Sequence, residues 1–195
     1  VLFGAPAADL RLHAPPRSTS YALPPIGLSR FPPEPPRFVG RLMPMLRASR
    51  ALAPRSDQTG VLFYGMAGAG KTACALELAY RHERGRFKAY AWYKAPDEGC
   101  DIEDALVRWA TEMEDQLSEL ELVGQIGDPQ TFRRYILPRL RAWMENHSIL
   151  MVIDNLDGLL TSEGEWRDPR WGELIGALLD HRGPSRLILT SRRLP

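Results

Sequence analysis

The sequence predicts an α/β fold in three layers, built on a parallel sheet and preceded by an extended proline-rich arm. Three observations lead there. Short apolar runs alternate with helical patterns from residue 61 onward, the layout of parallel strands joined by crossover helices. Eleven of the 17 prolines fall before residue 55, several as doublets such as Pro15-Pro16, Pro24-Pro25, Pro32-Pro33 and Pro35-Pro36. The chain's 195 residues, 44% hydrophobic and 25% charged, are enough to bury one substantial core.

Each proline removes a backbone donor and biases its predecessor toward extended backbone. Residues 1–36 therefore read as a linker or arm, and residues 37–195 as the folded domain. Residues 10–55 hold eight arginines against one acid, Glu34, and without interleaved aromatics this reads as a solvated basic linker rather than a nucleic-acid patch. The net charge of +1 offers no overall field to attract a polyanion or an anionic membrane. No apolar run approaches the roughly 18 residues of a membrane span. The first stretch lacks the charged-then-apolar layout of a secretory signal. Cys74 and Cys100 form neither a metal-type spacing nor a disulfide framework, so a reducing cytoplasm is expected. Val1 stands where an initiator methionine would, so a piece of a longer protein is expected.

The elements follow in order. Val61-Leu62-Phe63-Tyr64 is a short strand ending at Gly65. Residues 72–83 are rich in Ala and Leu and predict a helix. Residues 87–93 form a β-prone aromatic stretch and a second strand. Ile102, Leu106, Trp109, Met113, Leu117 and Leu120 recur at three- and four-residue steps, marking an amphipathic helix. Its outer face is acidic, since residues 97–121 carry ten acids and one base, Arg108; a solvated face is the expectation. Asp128-Pro129 supplies an N-cap and a first-turn proline for a helix toward Asn146, with a kink expected at Pro138. Residues 149–153 read as a buried strand. Asp168-Pro169 opens a helix carrying Trp171, Leu174, Ile175, Leu178 and Leu179, closed by Gly183-Pro184. Residues 186–190 form the fourth strand.

The chemistry concentrates where the first strand ends. Gly65-Met66-Ala67-Gly68-Ala69-Gly70-Lys71-Thr72 fits the phosphate-binding loop pattern: Gly, four residues, then Gly-Lys-Thr. Small residues let consecutive backbone N–H groups wrap a phosphate without obstruction. The helix that opens through Thr72 and Ala73 aims its positive end at the same anion. Lys71 brings a point charge to the outer phosphates, and the Thr72 hydroxyl is a ligand for Mg²⁺. ATP or ADP with Mg²⁺ is the expected cargo, so the predicted site comprises Gly65, Ala67, Gly68, Ala69, Gly70, Lys71, Thr72 and Ala73.

Mg²⁺ held through phosphates needs a carboxylate delivered by a neighbouring buried strand. Ile149-Leu150-Met151-Val152-Ile153-Asp154 has that form, which makes Thr72 and Asp154 the predicted metal ligands. Asn155 follows; it can position a water but cannot take its proton. Asp157 is either a substitute base or a surface turn. Leu187-Ile188-Leu189-Thr190-Ser191-Arg192 ends the last strand in an arginine, which at a sheet's carboxyl edge can sense a third phosphate. Lys71, Asp154 and Arg192 are the predicted catalytic residues.

In this order of segments the sequence resembles the signal-transduction ATPases called STAND, in particular their NB-ARC (AP-ATPase) branch. Phe38-Val39-Gly40-Arg41 looks like that family's opening motif, so the resemblance implies that these four residues pack against adenine. It also implies a switch: ADP holds a closed monomer, ATP favours an open form that assembles, and slow hydrolysis resets it. Protein partners would act through flanking domains, and a helical lid and winged-helix part would follow Pro195. Asn155 departs from the paired acids of many relatives, which implies slow turnover. The alternatives are a conventional ATP-hydrolysing motor, a small-molecule kinase, or a nucleotide-binding scaffold without turnover. A motor would keep an acid at position 155, and a kinase would need an acceptor pocket for which no acid and base converge.

Overall fold

Four strands, β1 (Gly60–Tyr64), β2 (Ala89–Lys94), β3 (Ile149–Asp154) and β4 (Arg186–Ser191), carry the chain. All their pairings are parallel, and their order across the sheet is β1-β4-β3-β2. This computed structural model describes residues 28–83, 86–100, 104–117 and 120–195. The register sets Tyr64 beside Ser191 and Lys94 beside Asp154, so the carboxyl ends of the strands share one edge.

The helices are α1 (Leu42–Ala51), α2 (Lys71–Arg81), α3 (Ala105–Gln116), α4 (Pro129–Thr131), α5 (Leu137–Asn146) and α6 (Pro169–Leu179). Their placement follows from the strand order. The connection from β1 to β2 runs across the sheet one way, and the connections to β3 and then β4 return. Right-handed crossovers then send α2 to one face and the later helices to the other. On the first face Met45 and Ala48 of α1 and Cys74, Ala75 and Leu78 of α2 pack on Tyr90, Trp92, Leu150, Val152 and Ile188. On the second, Trp109 and Met113 of α3, Leu140 and Met144 of α5, and Trp171 and Leu174 of α6 cover Tyr93, Met151, Ile153 and Leu187. Alternate residues of β3 thus serve opposite cores, as the two-residue pleat requires.

β2 lies at the edge of the sheet, where Trp92 would have an unpaired backbone. The Gln116 side chain stands in for a neighbouring strand: its Oε1 accepts from Trp92 N at 2.8 Å and its Nε2 donates to Trp92 O at 2.9 Å. Such pairing leaves less open edge for another chain to extend.

The expected arm, residues 1–36, lies for residues 1–27 outside the described residues, together with Pro15-Pro16 and Pro24-Pro25. Its described end lies against the domain. Leu28 is fully buried, and the Phe31 ring sits 5.3 Å from that of Trp92 and 6.4 Å from that of Tyr90. In the acidic helix Ile102 falls outside the described residues; α3 ends at Gln116, and Leu117 and Leu120 are buried beyond it.

At Pro138 the structure differs from a simple kink. Residues Phe132–Ile136 form a π-helical turn between α4 and α5. Proline cannot donate to the carbonyl four residues back and its ring crowds that carbonyl, so a locally widened turn accommodates it. Among the described residues no helix is long and apolar enough to cross a membrane.

Candidate functional site

The glycine-rich loop leaves β1 at the carboxyl edge. Gly65 N donates to Ser191 O at 3.2 Å, and Ala69 N closes a turn onto Met66 O at 3.2 Å. Gly68 and Gly70 have φ of 72° and 75°, a region in which an L side chain is strained. At Gly68 a side chain would meet nothing within 4 Å among the described residues, so backbone conformation rather than space calls for glycine there. Gly70 is the N-cap of α2, and no side chain caps that first turn. The helix start is thereby left to present its backbone N–H groups to an anion. Lys71 Nζ folds back over the loop and donates to Gly65 O at 2.7 Å and Met66 O at 3.1 Å.

Two strands and a helix meet at Asp154. This aspartate, 4% exposed, ends β3, and its Oδ1 accepts from Thr72 Oγ1 at 2.8 Å and from Thr190 Oγ1 at 2.5 Å. Thr190 Oγ1 in turn accepts from Asn155 N at 2.9 Å. A hydroxyl–carboxylate–hydroxyl bridge therefore links α2, β3 and β4. The pairing of Thr72 with Asp154, 82 residues apart, joins the two predicted metal ligands. Thr190 was missed by the sequence reading. Its signal was a hydroxyl near the end of the strand inserted between β1 and β3, a neighbourhood set by strand order.

Asp157 is not a surface turn. It is 2% exposed, in a short 3₁₀ turn (Leu156–Leu159), and its Oδ1 accepts from Arg192 N at 2.6 Å. Its Oδ2 pairs with Arg192 Nε at 3.1 Å. Arg192 Nη2 also donates to Glu98 Oε2 at 2.7 Å, and Arg193 Nη2 donates to Glu98 Oε1 at 2.5 Å. These pairs raise the Arg192 pKa, chiefly through Asp157, and lower that of Glu98, chiefly through Arg193.

Asn155 is also committed. Its backbone is left-handed at φ 68°, which asparagine tolerates better than most residues. Its Nδ2 donates to Pro96 O and Asp97 Oδ1 at 3.2 Å and to Ala95 O at 3.4 Å, tethering the loop after β2. An acid there would therefore meet two carbonyls and a carboxylate instead of an attacking water. Asn155→Asp is expected to destabilise the fold by about 1 kcal/mol, the usual net worth of a hydrogen bond lost at a half-buried site, without raising turnover. Denaturant unfolding beside a phosphate-release assay checks both parts.

The segment 38–41 divides. Phe38 packs against the α1 and α2 core, whereas Val39 is 86% exposed. Gly40 and Arg41 have consecutive positive φ of 81° and 55°. That turn brings the Arg41 guanidinium to Gly70: its carbon lies 3.5 Å from the position where a side chain there would begin. Arg41 also lies beside the Cys74 thiol, whose pKa is raised by burial despite the cation. A cavity of about 510 Å³ lined by Lys88, Gln116, Trp143 and His147 shares no residue with the loop.

No family model matches the chain, and no curated protein matches it. Among solved structures, the C. elegans protein PCH-2 matches at 12% identity and a TM-score of 0.39, over 77% of this chain and 35% of that one. A chain of the E. coli MS115-1 HORMA:CdnC:Trip13 complex matches at 14% identity and a TM-score of 0.34, over 80% of this chain and 46% of that one. This chain thus spans less than half the length of either, and likenesses of that strength carry no argument about fold or activity.

The NB-ARC resemblance is withdrawn, because no family model supports it. The physical reason lies in the motifs. A glycine loop, a strand-ending aspartate and a strand-ending arginine are what a parallel sheet with a phosphate site at its carboxyl edge calls for. Their order therefore does not single out one branch of proteins.

Proposed function

We propose that this chain is a three-layer P-loop domain that binds ATP or ADP with Mg²⁺ and hydrolyses ATP slowly. The observation that carries the reading is Thr72 Oγ1 standing 2.8 Å from Asp154 Oδ1 where the glycine loop enters α2. That donor set fits a hard divalent cation: one hydroxyl and one buried carboxylate, with the remaining positions left to phosphate oxygens and water. Among the described residues no cluster of three or more His, Cys, Asp or Glu forms an all-protein cage. A cation shared with phosphates does not require one. When bound, Mg²⁺ would supply charge neutralisation between the outer phosphates.

The chain's own residues divide the remaining work. Backbone N–H groups of residues 67–73 hold the inner phosphates at the start of α2. Lys71 turns from the carbonyls of Gly65 and Met66 toward the outer phosphates. Arg192 stands at the same edge for the third phosphate. Val39 and Met66, 86% and 80% exposed, offer apolar surface to a base.

Slow turnover follows from how the acids are used. Asp157 is taken by Arg192 and the Asn155 amide by the loop after β2, so neither activates water. Lack of a general base typically lowers the rate about 10²- to 10⁴-fold. Steady-state phosphate release is expected far below the ~10 s⁻¹ typical of enzymes. The bound nucleotide, rather than rapid turnover, is then what the domain communicates. Release at ordinary enzyme rates, or phosphorylation of a small acceptor, would contradict this.

A further inference from the structure

We propose that Glu98 is a built-in competitor for the third phosphate, occupying Arg192 and Arg193 until a nucleoside triphosphate displaces it, and so sets the preference between di- and triphosphate. The inference rests on the nucleotide reading above.

Arg192 follows directly on β4, whose last residue, Ser191, pairs with Tyr64 just before the glycine loop. Its guanidinium is gripped from two sides that differ in kind. On the Nε side stands Asp157, with a side chain only 3% exposed and a second bond to the Arg192 backbone; this contact aims the arginine. On the Nη2 side stands Glu98, with a side chain 44% exposed, on the loop after β2 at the same edge of the sheet. A buried carboxylate with two bonds is an anchor, whereas an exposed one exchanges with solvent and with other anions. Glu98 uses both oxygens, one on each arginine, at 2.7 Å and 2.5 Å. Carboxylate and phosphate oxygens compete for the same guanidinium donors. A terminal phosphate brings more charge and a third oxygen to that contest. A diphosphate lacks the group that would reach this far, so Glu98 opposes binding of the triphosphate alone.

The tether is placed to allow the exchange. Asn155 holds the loop at Ala95, Pro96 and Asp97, just before Glu98. The following Gly99 has φ 88°, and a side chain there would meet nothing within 4 Å among the described residues. Glu98 is thus free to leave the arginines while the start of its loop stays in place.

Titration calorimetry with Mg-ADP and Mg-ATP tests the proposal on the unmodified chain, on Glu98→Gln and on Asp97→Asn. Glu98→Gln is expected to tighten ATP about two- to fivefold, the range an exposed ion pair commands, and to leave ADP unchanged. Asp97→Asn removes the charge of a neighbouring acid that touches neither arginine, while its amide oxygen still accepts from Asn155 Nδ2 and keeps the tether, so it is expected to leave both affinities as they are. An unchanged ATP-to-ADP ratio in Glu98→Gln overturns the proposal, as does an equal gain for both nucleotides. The same gain in Asp97→Asn also overturns it, because diffuse charge would then account for the effect. If the unmodified chain takes up neither nucleotide, the nucleotide reading itself falls and this inference with it. Binding of both with an unmoved ratio refutes the inference alone.

Discussion

Replacing Lys71 with alanine is expected to weaken binding of Mg-ATP at least tenfold, about 1.4 kcal/mol or more for one lost charge-assisted contact. Neither of the chain's other lysines lies on the loop: Lys88 precedes β2, and Lys94 ends β2 at the edge of the sheet, 3.4 Å from Asp97. The Lys71 ammonium rests on two carbonyls of its own loop and anchors no other element, so the fold should survive its removal. Calorimetry on the variant, with a thermal melt to show that it is folded, gives the answer. Unchanged affinity would remove the loop as the binding site.

The second large effect is expected at Asp154. Its Oδ1 serves Thr72 and Thr190 together, and it lies almost fully buried. Asp154→Ala would leave both hydroxyls without their acceptor; the buried Thr190 hydroxyl so stranded costs about 1–3 kcal/mol of stability, whereas the exposed Thr72 can turn to water. Asp154→Asn separates the two roles, since its amide oxygen still accepts from a hydroxyl while the charge is gone. ATP binding to Asp154→Asn is therefore expected to become indifferent to Mg²⁺, whereas binding to the unmodified chain strengthens when Mg²⁺ is added. Titrations with and without a chelator read this out. An asparagine variant that retains full Mg²⁺ dependence would place the metal contact elsewhere.

Much of the architecture was legible in the sequence because its signals are local. The apolar runs at 61–64 and 149–153 fall within β1 and β3, and Asp128-Pro129 and Asp168-Pro169 begin helices where capping chemistry places them. What stayed hidden depends on strand order or on distant partners. Thr190 gains its meaning only because β4 lies between β1 and β3. Asp157 in Asn-Leu-Asp-Gly resembles a solvent turn, yet the left-handed Asn155 and the 3₁₀ turn after it carry the carboxylate inward to Arg192. Glu98 sits in an acidic stretch that reads as a solvated face, and its arginines are 94 and 95 residues away. Proline doublets likewise masked Leu28 and Phe31, two apolar side chains that the domain buries.

Titrating the unmodified chain with ATP in the presence of Mg²⁺ asks whether residues 65–73 and Asp154 hold a Mg-nucleotide, as proposed. Saturable binding at a single site is expected, weakened by chelating Mg²⁺ and competed by ADP. No saturable binding at roughly 1 mM ATP, the upper end of ordinary substrate affinities, would contradict it.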